Sequence, residues 1–201
     1  CNITISAGES IQDAINKSVN AEGELTICIT PGVYKGQDLV IKHSVKLVAL
    51  LKDPSKEEVV IIGSGSSEPT IRIAKTTNVE INGLTIVESN SKYGGIFIEN
   101  STGCLIKDNK ISANKVGTKL SNIGENTLVG NIFNGNQIQI TTDTLDDEGI
   151  LEKILSQNKF DGAIIVRSQT KSSSTVIPTI FGTIQAAVDS AGNGDVLDIY
   201  Y

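Results

Sequence analysis

The sequence predicts an all-β chain, a right-handed parallel β-helix solenoid with a short N-terminal capping helix and a C-terminal helix-plus-strand arm. Three observations predict it. Short apolar runs recur between Gly, Asn and Ser turns from about residue 38 to residue 166. A unit of apolar pair, x-x-Asn-x-apolar repeats, with Asn82, Asn109, Asn131 and Asn158 in the same place and 22 residues from Asn109 to Asn131. A helix-then-strand pattern at the start of the chain appears again near its C-terminus.

The first element is a helix. Ser10 is placed to cap it, Asp13 stands three residues on, and Ile11, Ala14, Ile15 and Val19 share one face. Leu25, Ile27 and Ile29 then alternate with Thr26, Cys28 and Thr30 as a strand does, and Pro31-Gly32 ends it. The next segment reads as strands without a long helix. Repeats of 20–30 residues carrying short strands stack as coils, because one unit cannot bury its own apolar side chains. The Asn positions form an expected ladder: a side-chain amide tolerates a left-handed turn and bonds its equivalent one coil away.

Residues 141–148 lengthen one unit and read as an acidic loop leaving the coil. Ser168–Pro178 is rich in Ser and Thr and reads as a linker. After it, Thr183-Ile184-Gln185-Ala186-Ala187-Val188 repeats Ser10-Ile11-Gln12-Asp13-Ala14-Ile15, and Leu197 and Ile199 alternate like Ile27 and Ile29. The expected organisation is therefore a β-helix over 1–167, a linker over 168–178, and a second copy of the opening over 179–201. That copy is either the start of a next module or an arm that reaches another molecule.

Composition bounds the function. The 201 residues carry a net charge of −6, which argues against a nucleic-acid partner. At 39 % apolar residues the chain is neither disordered nor membrane-spanning, and no apolar run approaches a transmembrane length. Cys1, Cys28 and Cys104 lack metal-ligand spacing. Cys28 and Cys104 read as half-buried strand residues. Cys1 is open to lipid modification, to cross-linking between chains, or to neither.

Ser10-Ile11-Gln12-Asp13-Ala14-Ile15, followed by Ile27-Cys28-Ile29-Thr30-Pro31-Gly32-Val33-Tyr34, resembles the opening of the pectin-lyase-like superfamily, and of pectin methylesterases in particular. Gly95 to Phe160 resembles the parallel β-helix repeats of periplasmic copper-processing and surface β-helix proteins. The resemblance implies a parallel β-helix. It leaves function open, because the fold hosts lyases, hydrolases, esterases, adhesins and structural proteins. The catalytic signatures that such enzymes need are absent. The two arginines, Arg72 and Arg167, lie in strand patterns with no Asp cluster beside them, and the single histidine, His43, reads as a solvated strand-edge residue.

No catalytic residue is therefore assigned. Asp143, Asp146 and Asp147, with Glu148, form a candidate Ca²⁺ site, and no other cofactor is expected. The leading expectation is a non-enzymatic extracellular or cell-surface structural protein that assembles head to tail with copies of itself. Ile184, Ala187 and Val188 would cover a neighbour's open end while Leu197 and Ile199 enter its core. The competing expectation is a carbohydrate-active or carbohydrate-binding β-helix acting on an acidic polysaccharide.

Overall fold

The structure, a computed structural model, describes residues 1–20, 23–55, 57–121, 126–142, 148–168 and 175–200. The chain enters through β1 (Ile3–Ile5) and α1 (Ile11–Lys17), then winds through five three-strand coils. These are β2 (Leu25–Ile29), β3 (Gly32–Gln37) and β4 (Leu39–Ile41); β5 (Val45–Ala49), β6 (Val59–Gly63) and β7 (Ile71–Ala74); β8 (Glu80–Asn82), β9 (Thr85–Val87) and β10 (Ile96–Glu99); β11 (Leu105–Lys107), β12 (Lys110–Ser112) and β13 (Val116–Leu120); and β14 (Thr127–Val129), β15 (Ile132–Asn134) and β16 (Ile138–Thr142). The sixth turn carries α2 (Glu148–Gln157), β17 (Lys159–Phe160) and β18 (Ala163–Ser168), and the chain closes with β19 (Thr175–Phe181), α3 (Ile184–Ser190) and β20 (Val196–Tyr200).

Strands stack into three sheets, A (β1-β2-β5-β8-β11-β14), B (β3-β6-β9-β12-β15-β17) and C (β4-β7-β10-β13-β16-β19-β18-β20). The solenoid strands pair in parallel, so the same position of each coil falls in one column. Ile27, Leu47, Ile81, Ile106 and Leu128 line up in sheet A. Tyr34, Ile61, Ile86, Ile111, Phe133 and Phe160 line up in sheet B, and the last two rings stack at 5.0 Å. Nearly all of these side chains are buried in one continuous core. The column is the physical reason the sequence repeats: each apolar side chain packs between its equivalents above and below.

The asparagine ladder runs through Asn109, Asn131 and Asn158. Asn131 Oδ1 accepts from the backbone N–H of Asn109 at 3.0 Å, and Asn158 Oδ1 from that of Asn131 at 3.0 Å. Each Nδ2 also donates to a carbonyl on an earlier coil, that of Ile81, Ile106 or Leu128. Asn82 is not a rung. It is registered with Lys107, and Leu84 occupies the ladder position, donating its N–H to Asn109 Oδ1 at 3.0 Å. The left-handed residue lies one position earlier than expected, at Gly83 (φ 73°), Asp108 (φ 53°) and Gly130 (φ 69°). Its turn swings the next side chain inward.

A second ladder, absent from the sequence reading, joins Asn114 and Asn136 at the sheet B to C corner. Each follows a left-handed residue, Ala113 or Gly135.

Two segments depart from the expected strands and loops. Ile154 and Leu155 belong to helix α2, not to a strand. Ile154 is buried in the core, and α2 packs against β14 and β17 where sheet A stops. Within the expected linker, residues 169–174 lie outside the described residues, and Thr175 to Pro178 open strand β19. That strand runs antiparallel between β16 and β18, so sheet C ends with a change of direction.

Candidate functional site

The two copies of the opening motif have the same local chemistry and different surroundings. Ser10 Oγ accepts the N–H of Asp13 at 3.1 Å, and Thr183 Oγ1 accepts that of Ala186 at 3.2 Å, so each helix begins on a hydroxyl cap. In α1 the inward face is closed: Ile11, Ala14 and Ile15 are 0 %, 3 % and 1 % exposed. In α3 only Ala187 is buried, while Ile184 and Val188 are 58 % and 50 % exposed. Ile27 and Ile29 of β2 are fully buried; Leu197 of β20 is half-buried and Ile199 is 44 % exposed.

The reason lies in what each copy packs on. α1 sits over the end of the coil, against β1 and β4. α3 lies on the outer face of sheet C, where Ala187 joins Ile164, Val166 and Phe181 in a second, small core with Leu197 at its margin. Four successive residues of β18, Ala163 to Val166, are therefore buried, two against each core. β20 pairs antiparallel with β18 of its own chain, Ile164 opposite Ile199, and Arg167 pairs with Asp198. The arm thus folds on its own chain; Leu197 and Ile199 are not free to thread a neighbour's core. What it leaves exposed are Ile184 and Val188 on α3, Ile199 on β20, and the outer edge of β20, the last strand of sheet C.

The outer face of sheet C carries a second cluster. Register aligns Val40, Arg72, Phe97, Lys119 and Thr141 across five strands. Tyr93, on the loop before β10, stacks on Phe97 at 5.1 Å. Lys92, Lys119 and Arg72 stand 5.1 to 5.8 Å from one or both rings. Arg72 also bridges Glu99 at 2.8 Å and Glu68 at 3.3 Å. Beside it a cavity of about 540 Å³ is lined by Val40, Lys42, Arg72, Ala74, Lys75 and Glu99. Sequence reading missed the cluster because Tyr93 reaches the face from a loop. Its signal was three consecutive apolar residues, Ile96 to Ile98, where a one-faced strand shows alternation.

The remaining candidates resolve as structure. Cys1 and Cys28 form a disulfide with Cα atoms 5.6 Å apart, which uses the sulfur that a thioether lipid or an interchain bridge would need. Cys104 is buried, and burial pushes its thiol above the usual range. His43 is not a freely solvated residue: its Nε2 stands 2.7 Å from Ser18 Oγ, and partial burial lowers its pKa. On sheet A, Lys46 bridges Glu24 at 3.0 Å and Glu80 at 3.6 Å; the Glu24 hydrogen bond is the main cause of its raised pKa. Asp143, Asp146 and Asp147 lie outside the described residues.

A solenoid of parallel coils with aliphatic columns and asparagine corners is a pectin-lyase-like parallel β-helix. Residues 55–174 match the family described as periplasmic copper-binding protein (NosD), and the chain belongs to that family. No curated protein and no solved structure matches it. The family is periplasmic, in agreement with the location outside the cytoplasm expected from the sequence, and a disulfide suits an oxidising compartment. Among the described residues no helix is long and apolar enough to cross a membrane.

The family's copper does not fit the residues present. Copper sites draw on thiolate, thioether and imidazole ligands. This chain has no Met and one His, and two of its three Cys share the disulfide. Among the described residues no three His, Cys, Asp or Glu side chains form a group that could hold a metal ion.

Proposed function

We propose that this chain is a non-enzymatic extracellular or cell-surface β-helical module that assembles head to tail with copies of itself through its C-terminal unit. One observation carries the reading: the copy of the capping motif exposes Ile184, Val188 and Ile199, whose counterparts Ile11, Ile15 and Ile29 are buried under a coil. Exposed apolar side chains on a motif that elsewhere closes a solenoid end are a surface for another coil. Such a contact joins unlike surfaces, so it propagates as a filament when it does not close into a ring.

Sedimentation of the full chain over a concentration series tests this. Ile184→Glu with Val188→Glu should weaken association about a hundredfold, since burying two aliphatic side chains is worth roughly 3 kcal/mol. A chain that stays monomeric throughout, or a double variant that associates as before, refutes the reading.

The cation-lined aromatic pair on sheet C favours a second reading, the binding of an acidic polysaccharide along that face. A panel of uronate polymers, with binding followed by calorimetry and with unsaturated products and methanol assayed, separates the two. Binding lost in Tyr93→Ser supports this second reading; turnover of any polymer removes the non-enzymatic one.

A further inference from the structure

Helix α1 does more than bury apolar side chains. Sheet C begins at β4, and among the described residues no strand pairs with the far edge of β4. Gln12 takes the place of that strand. Its Oε1 accepts the N–H of Val40 at 2.8 Å, and its Nε2 donates to the carbonyl of the same residue at 3.1 Å. One carboxamide thus satisfies both main-chain groups of one residue on an open edge, as a neighbouring strand would. Asn16, four residues on, braces it: Gln12 Nε2 also donates to Asn16 Oδ1 at 2.9 Å.

Gln185 is the counterpart of Gln12, and Asp189 of Asn16. The brace is already formed, Gln185 Nε2 donating to Asp189 Oδ1 at 2.7 Å. The carboxamide is exposed, and among the described residues it has no strand edge to bond. It is flanked by Ile184 and Val188, the exposed counterparts of residues that in α1 lie buried.

We infer that Gln185 is an edge clamp for a second copy of this chain: it takes the N–H and C=O of Val40 on the incoming β4. The inference rests on the head-to-tail reading above and names its contact. Two observations choose the occupant. The motif on α3 is a repeat of the one that already fits the β4 edge. Charge agrees as well, because α3 and the turn after it carry Asp189 and Asp195 and no Lys or Arg, whereas exposed Lys42 directly follows β4. In each molecule that edge is held by its own α1, so docking exchanges one cap for another. The two glutamines then act in opposite directions. Gln12 keeps the edge shut against a neighbour, and Gln185 captures it.

Identical substitutions in the two copies test this in the full chain. Glu keeps an acceptor for the Val40 N–H but has no donor for its carbonyl. Gln185→Glu and the uncharged Gln185→Ala should each weaken association about tenfold in sedimentation equilibrium. Gln12→Glu and Gln12→Ala should strengthen it by a similar factor, with circular dichroism confirming that the coils remain folded. If association is lost in the Ile184/Val188 variant but unchanged in both Gln185 variants, the clamp is wrong and the head-to-tail reading stands. If the Gln12 and Gln185 substitutions shift association in the same direction, the exchange is wrong. A chain monomeric in every variant overturns both.

Discussion

A buried carboxamide does the work of several main-chain groups at the corners of this solenoid. Asn131 accepts from the N–H and Nδ2 of Asn109 and donates to the carbonyl of Ile106 and to Asn158 Oδ1. It is 0 % exposed, so no water replaces those partners on substitution. Asn131→Ala should cost about 3 kcal/mol, since it strands a buried N–H and a carbonyl at once. In a chain of this size that lowers the melting temperature by roughly 10 °C. Asn82→Ala should change stability by less than about 0.5 kcal/mol, because among the described residues the Asn82 side chain bonds Glu80, two residues away, and lies outside the ladder. Thermal denaturation of the two variants separates a rung from a look-alike. The spacing and apolar flanks of Asn109, Asn131 and Asn158 made them legible in the sequence. Asn82 shares those flanks but sits two residues ahead of the register. Asn114 and Asn136 lack them, standing between Ala113 and Lys115 and between Gly135 and Gln137, and so went unread.

At the scale of elements, the regular coils were legible and the ends were not. A coil strand meets its own kind above and below, so local pattern and tertiary neighbours agree. At the C-terminal end the neighbours change. Ile154-Leu155 before Asn158 matches the coil unit, yet Ile150, Leu151, Ile154 and Leu155 also recur at the four-residue spacing of a helix, and the end of sheet A selects that alternative. Thr175–Phe181 was obscured by the Ser/Thr stretch before it, although Val176, Ile177, Ile180 and Phe181 supply a strand's apolar content. Strand β1 is the edge of sheet A and only three residues long, and the Cys1–Cys28 disulfide ties its leading end to β2. Closing a loop across 27 positions is worth about 3.5 kcal/mol in the chain-entropy account. Reduction should lower the denaturant midpoint accordingly. Thiol titration should count none in the native protein, one after unfolding and three after unfolding with reduction, because Cys104 is shielded by burial. A reactive thiol in the native state would contradict both the bridge and that burial.

For the molecule as a whole, the two cores divide the chain into unequal parts. One core runs the length of the solenoid, while the other rests on Ile164, Val166, Phe181 and Ala187. Solenoid stability propagates between neighbouring coils, so the middle coils, buttressed on both sides, open only when the whole molecule does. The C-terminal unit has one neighbour and few buried side chains, which is the condition for local opening. Native-state hydrogen exchange should therefore show α3 and β20 exchanging at low denaturant with little dependence on it, while β8 to β13 exchange with the free energy and denaturant sensitivity of global unfolding. Ala187→Asp, placing a charge in the small core, should speed exchange across α3 and β20 and leave the free energy of global unfolding within about 0.5 kcal/mol of the parent, because sites this far apart along a solenoid are nearly additive. Loss of protection in β8 to β13 as well would show that the outer core is integral to the solenoid. Exchange confined to the C-terminal unit would show that it can rearrange around a neighbour while the coils stay intact, which is the mechanical requirement for joining two such solenoids end to end.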